Sequence, residues 1–393
     1  MTNAASTVAQ ATSELESISQ SRAIGLSTLA FAQPLITSLF LLLGPYGPWQ
    51  ALLCTVPIWI LVLADLGAGP ERRHPSDDRA AWPFDVQIHA LFGLQVLNHL
   101  LLGFYAARLA GTTIVRPGAV ASTADILCVG ANLAAVIVIA GTTAGSSGII
   151  VAHELIHRRN PVDFQLGRFL LTLVLHEHFA TEHVRGHHPR VGTAEDPATA
   201  RFGETVDAFL GRSSRGQLVS AWRLERIRQG LGTAPAWDRR WLGHRVLQGF
   251  VGEALILAGY FHLFGALALL FFVVQARTAV ILLDVVNYIE HWGLTREGEK
   301  ITLLESWDTD NRFTLHALLG LSRHSDHHVH VSRPHQKLLS HDDTAKMPFG
   351  YYGTILMALF SNERYRRAAT AELRRRRLGP FRPSPDGVGD LGC

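Results

Sequence analysis

Charge is scarce in this chain of 393 residues, and cysteine scarcer still. Charged residues make up 18% of it, against roughly 25% in an ordinary soluble domain. The three cysteines, Cys54, Cys128 and Cys393, form no C-x-x-C pair, which excludes a disulfide framework and a fused iron–sulfur module. There is no flavin or NAD fingerprint, so any electrons the protein uses come from outside. There is also no internal repeat and no low-complexity linker, and one integrated domain over residues 1–393 is expected. The first twenty residues are polar and lack a signal-peptide pattern, so the first apolar run is expected to act as an uncleaved anchor.

What the chain has instead is hydrophobic length. Residues 24–44, 49–64, 86–107 and 126–152 carry no formal charge. Residues 245–287 hold enough apolar sequence for two more runs, joined near 262–265. A helix rises about 1.5 Å per residue, so about 20 apolar residues cross a hydrocarbon core of about 30 Å. The expectation is an all-α integral membrane bundle of about six transmembrane helices with a cytoplasmic histidine-rich helical cap. In sequence order this is a polar segment (1–22), four spans (24–152), a histidine segment (153–245), two spans (246–290), and a histidine segment with a basic tail (291–393). Arginines set the orientation: Arg72, Arg73 and Arg79 follow span two, and the segments after spans four and six are arginine-rich. Both termini are then inside, with Arg108 and Arg116 as outer exceptions. The net charge of +3 reads as this inside bias, not as nucleic-acid binding. The run 374–377 is a candidate contact for anionic lipid headgroups.

Twenty histidines are present, nine of them in four short groups. "HELIH" holds His153 and His157, and "EHVRGHH" holds His183, His187 and His188. "NYIEHWG" holds His291, and "RHSDHH" holds His324, His327 and His328. Residues four apart share a helix face, so His153 with His157 and His183 with His187 should each point one way, with His188 turned aside. A catalytic zinc takes about three protein ligands, whereas nine imidazoles suit two redox ions with four or five nitrogens each. All four groups lie at or after the inner ends of spans, so they can meet at one depth. His176, His178, His316 and His330 lie near enough to support them. The remaining histidines are read as packing or surface residues.

The chain resembles the membrane-bound alkane 1-monooxygenase family, which also includes xylene-type hydroxylases. The resemblance rests on "HELIHRR", "EHVRGHHPRVGTAEDPATARFGE", "NYIEHWGL", "LSRHSDHH" and "HQKLLSHDDTAKMPFGYYG". It implies a non-haem di-iron centre on the nine histidines, with O2 and two electrons used to hydroxylate a terminal methyl group of an n-alkane from the bilayer. It also implies rubredoxin and rubredoxin reductase as electron donors, and a bacterial inner membrane with the active site on the cytoplasmic side. Glu154, Glu182, Glu290 and Asp326 would orient the imidazoles, with Glu290 closest to iron. Arg158, Arg159 and Arg185 are candidates for docking rubredoxin, and Trp59 for the pocket wall that limits chain length. One departure is Ser322, where the family usually has glutamine.

Other readings stay open at this stage. A methyl-aromatic, fatty-acid hydroxylase or desaturase substrate fits the same boxes. A membrane zinc metalloprotease explains "HELIH" but leaves seven grouped histidines idle. A metal transporter would set its ligands along a path through the bilayer midplane, not at one end.

Overall fold

The computed structural model describes residues 17–75, 80–113 and 122–383. Arg79, Arg116, Cys393 and most of the polar N-terminal segment lie outside the described residues. Among the described residues, six helices are long and apolar enough to cross a membrane: α1 (Gln20–Leu43), α2 (Pro48–Gly67), α3 (Trp82–Thr113), α4 (Thr123–Ile156), α8 (Arg245–Phe264) and α9 (Ala266–His291). Between and after them lie α5 (Pro161–Leu173), α6 (residues 179–190) and α7 (Val206–Arg228), then α10 (Arg312–Ala317), α11 (His324–Val329), α12 (Tyr351–Phe360) and α13 (Asn362–Arg376). Two residue pairs, Trp307–Asp308 and Ala345–Lys346, form a short parallel ladder in the cap. With six helices of that length and hydropathy, the protein is an integral membrane protein.

Local signals explain the helix ends. Ser122 and Asp125 form a reciprocal capping box at the start of α4. Gly265, at φ 87°, breaks the apolar run into α8 and α9. α3 runs past its apolar stretch at both ends because Asp85 and Arg108 are useful there. Arg108 donates to the carbonyls of Leu41 and Leu42, at 2.7 and 3.2 Å, satisfying the open C-terminal end of α1.

Inside the bundle the helices are tied by side-chain hydrogen bonds: Gln33 to Thr142 (2.8 Å), Ser38 to Asn98 (2.6 Å) and Gln95 to Ser147 (2.9 Å). In hydrocarbon such groups need protein partners, which fixes the register between helices. Leucines 43, 63, 255 and 263 face outward instead, as a lipid-facing surface requires. α9 is the central element, packed against α3, α4, α7, α8 and α12.

Length positions the site. α4 has 34 residues, about 51 Å, and exceeds a core of about 30 Å. Its last turn, with His153, and His157 directly after it therefore emerge beside the end of α9. Two stretches of α4, Ile137–Gly141 and Ala144–Ile149, are π-helical.

Candidate metal centre

Nine buried or half-buried imidazoles converge at the joined ends of α4, α6, α9 and α11. They separate into His153, His157, His183, His188 and His327, and into His187, His291, His324 and His328, with the ligand atoms of each group within 4.8 Å of one another. The division departs from simple helical spacing at α6. Residues His183–His187 form a π-turn, whose i→i+5 hydrogen bonding widens the helix. His183 therefore overlies His188, their Nε2 atoms 3.0 Å apart, and His187 swings into the other group. On the regular α11, His324 and His328 keep the four-residue match, with Nε2 atoms 3.0 Å apart, and His327 faces the first group.

These contacts fit metal coordination better than hydrogen bonding. Nitrogens about 2.1 Å from one ion and at right angles stand about 3.0 Å apart. His188 Nε2 faces both His157 Nε2 (3.2 Å) and His183 Nε2, and one ring proton cannot serve both. The Nε2 atoms of His153, His187, His291 and His327 are buried without any partner. Burial first, and neighbouring imidazoles second, hold His157, His183, His188, His324 and His328 well below the ordinary histidine value. Neutral imidazole is the form that binds a metal. The residues therefore fit metal ions.

Two rings are fixed from behind. His187 Nδ1 lies 2.8 Å from Asp196 Oδ2, and His291 Nδ1 lies 3.0 Å from the Glu305 carbonyl. Both rings thus carry the proton on Nδ1 and turn Nε2 inward. Asp196 also accepts from Thr199 Oγ1 (2.6 Å) and Ala198 N (3.0 Å). Burial alone would raise its carboxyl; His187 and Thr199 hold it below the usual range. Spacing gave no hint of Asp196, which sits in a turn within "TAEDPAT".

The four carboxylates expected to orient imidazoles behave differently. Glu290 stands inside the site: its Oε2 is 3.3 Å from His324 Nε2, and Tyr351 donates to its Oε1 at 2.6 Å. Glu154 lies near Arg158 (3.6 Å) and His335 (3.5 Å). Glu182 pairs with Arg190 at 2.8 Å, and burial pushes its carboxyl up to about 8 despite that arginine. Asp326 accepts from Arg333, His330, His341 and the Leu339 amide, pinning the segment after α11. Glu154, Glu182 and Asp326 thus brace the surrounding chain instead of holding grouped rings. Of the other nearby histidines, His176 and His178 face each other at 4.2 Å, and His316 lines a separate small pocket. Ser322 is fully buried, its hydroxyl without a partner.

A narrow apolar chamber, with about 60 Å³ of space for the centres of water-sized spheres, opens beside both groups. His153, His183, His324 and Glu290 close one end, and its walls include Ile149, Ile150, Leu283, Val286 and Ile355. The wall of α4 here is the π-helical stretch Ala144–Ile149, a form found at functional sites. Asn287 also lines the chamber, and its buried Nδ2 has no partner. Trp59 does not: it is 45% exposed on the outer side of α2, because an aromatic residue on an apolar helix packs equally well against lipid.

Comparison with known proteins agrees with this architecture. Alkane 1-monooxygenase 1 of Pseudomonas aeruginosa is 39% identical over 225 residues, 56% of this chain and 58% of that protein. Alkane 1-monooxygenase of Acinetobacter baylyi is 34% identical over 231 residues, 56% of each chain. The xylene/toluene monooxygenase hydroxylase component of Pseudomonas putida is 24% identical over 208 residues, 52% of this chain and 55% of that protein. The chain thus matches little more than half the length of these relatives. The fatty acid desaturase family matches residues 130–355, a stretch that holds all nine grouped histidines and more than half of the chain. The chain belongs to the fatty acid desaturase family.

Proposed function

We propose that the protein is a membrane monooxygenase that hydroxylates the terminal methyl group of an n-alkane, giving a 1-alkanol. The nine histidines would hold two iron ions, five imidazoles to one and four to the other, and rubredoxin would supply the electrons. One observation carries this reading: two converging imidazole groups close one end of an apolar chamber. Two iron ions held there would supply the chemistry, activation of O2 for insertion of one oxygen atom into a C–H bond.

The chain's own residues do the rest. The apolar walls exclude water and accept an alkyl chain from the bilayer. A chain end reaching the closed end meets the side of His153, His183 and His324 first, which favours the terminal carbon. Asp196 and the Glu305 carbonyl keep His187 and His291 in the tautomer with Nε2 free. Tyr351 fixes Glu290 beside the four-histidine group.

Several observations weigh against the rival readings. No lysine or arginine lines the chamber, so a free fatty-acid carboxylate would find no counter-ion there. Glu154 stands near Arg158 and His335, unlike the free general base of a zinc protease. The arginine distribution supports a plasma membrane orientation with the histidine end in the cytoplasm.

The test is metal content by mass spectrometry on detergent-purified wild type and His187→Ala, followed by hydroxylation of octane with rubredoxin, its reductase and NADH. Two irons per chain, falling to about one in the variant, with 1-octanol formed by wild type, is expected. One zinc and no iron, from cells grown with ample iron, overturns the reading.

A further inference from the structure

Beyond the histidine groups, an open groove lies between α13 and the turn at Phe202–Gly203. Arg366, Arg367 and Arg374 line it, with Glu363 as the one acid among them. Glu363 pairs with Arg367 at 2.9 Å, but both are about 70% exposed, so the pair is weak. Arg374 lies over the Phe381 ring at 4.9 Å and has no carboxylate partner among the described residues. Arg366 Nε is buried without a partner. The groove is therefore strongly basic: Arg366 donates to Gly203 O at 3.2 Å, Arg374 has no carboxylate, and the exposed Arg367 pair is weak enough to be exchanged for an acidic partner.

Its floor is unusual. Trp292, 1% exposed, lies at the bottom, and Phe202, 46% exposed, packs against it with ring centres 5.3 Å apart and ring planes tilted by 47°. Trp292 is peptide-bonded to His291, whose Nε2 is turned into the four-histidine group. Both ends of the residue are held: the Trp292 indole Nε1 donates to Glu204 O (3.0 Å), and its backbone carbonyl accepts from Trp307 Nε1 (2.9 Å). An aromatic path thus joins a basic surface to one histidine group through a single backbone step.

We infer that this groove is the docking surface for a small acidic one-electron carrier protein, and that its electrons enter through Phe202 and Trp292 to His291. The inference rests on the oxygenase reading above. Each encounter oxidises the carrier by one electron and reduces the metal group by one. Two encounters supply the two electrons that balance RH + O2 + 2H+ + 2e− to ROH + H2O. Of the arginines expected to dock the carrier, Arg159 is exposed, whereas Arg158 and Arg185 are already engaged. Arg158 is held by Asp85 (2.8 Å) and Asp163 (3.4 Å), and Arg185 by the buried Glu225 (3.0 Å). An anionic lipid would use the same positive charge but has no need of the aromatic floor.

The experiment uses the full-length holoprotein and rubredoxin as probe, with Arg366→Glu, Arg367→Glu and Arg374→Glu singly and together, and Phe202→Leu. For the triple variant the KM for rubredoxin should rise on the order of tenfold at low salt, with kcat at saturation and iron content unchanged. Single-turnover octane hydroxylation driven by dithionite should not change. Phe202→Leu should leave that KM alone and slow reduction of the protein by rubredoxin. An unchanged KM in the triple variant, or a loss confined to binding of vesicles containing phosphatidylglycerol, overturns the docking surface. Wild type that turns over with neither reductant overturns the oxygenase reading instead, so the two failures are separable.

Discussion

Asp196→Asn is the most informative single change. The carboxylate accepts three hydrogen bonds, from His187 Nδ1 (2.8 Å), Thr199 Oγ1 (2.6 Å) and Ala198 N (3.0 Å), and is 1% exposed. The Ala198 amide binds Oδ1, whereas His187 and Thr199 share Oδ2, so asparagine can keep the Ala198 contact through its oxygen, and the Thr199 hydroxyl can turn to accept from the NH2 group that replaces Oδ2. Its NH2 group then faces His187 Nδ1 as a donor. The ring must accept there, which moves its proton to Nε2 and blocks the atom turned into the four-histidine group. Losing such a supporting partner lowers metal affinity about 10- to 100-fold, or about 1.4–2.7 kcal/mol. The five-histidine group contains no ring held by Asp196 and should be unaffected. Iron per chain, titrated against a chelator, should therefore show one tight and one weakened ion, with helicity unchanged. Equal retention of both ions refutes the orienting role of Asp196. Equal weakening of both refutes the division into two groups.

Three further outcomes follow from other contacts. Tyr351→Phe removes the 2.6 Å donor to buried Glu290, so thermal melting should fall by an amount equivalent to about 1–3 kcal/mol; an unchanged midpoint would show that Glu290 is satisfied elsewhere. Val286→Phe adds bulk inside the chamber, whereas Trp59→Ala trims the outer surface. Across an alkane series the first should lose longer substrates before shorter ones, and the second should leave the profile as it was; the reverse would move the chamber wall to α2. Glu225 is fully buried between Arg185, Arg228 and the Arg245 amide (2.8 Å). Burial alone would raise its carboxyl, but these donors hold it below the usual value. A depressed carboxyl stabilises the fold above the unfolded value of about 4.3, and that contribution is lost as pH falls through the folded value. Glu225→Gln should therefore be less stable than wild type at pH 7, with the gap closing below about pH 4; a constant gap would refute the ion network.

Apolar length alone located the six long helices, because crossing a bilayer constrains length more than detail. Spacing also found the nine histidines but misassigned His183 and His187 to one face, since a π-turn leaves no periodic mark that a four-residue rule can read. Asp196 was invisible for a related reason: it reaches His187 across a turn, where side-chain direction follows hydrogen bonds and not helical period. The chamber could not be read either. Its walls come from residues 145–150, 282–290 and 351–355, and only the packing of α9 on α4 and α12 brings them together. Trp59 shows the cost of guessing at such a wall from one helix. The last turn of α9 and the two residues after it, however, concentrate several roles in seven residues, "NYIEHWG". Asn287 and Glu290 line the chamber, His291 joins the four-histidine group, and Trp292 floors the basic groove. Successive residues on a helix point about 100° apart, so a single turn at the end of a central helix can face three environments at once. Chamber, metal group and surface are then coupled by covalent geometry. A substitution in this stretch should rarely disturb one function alone, whereas changes on α13 or α12 can separate them.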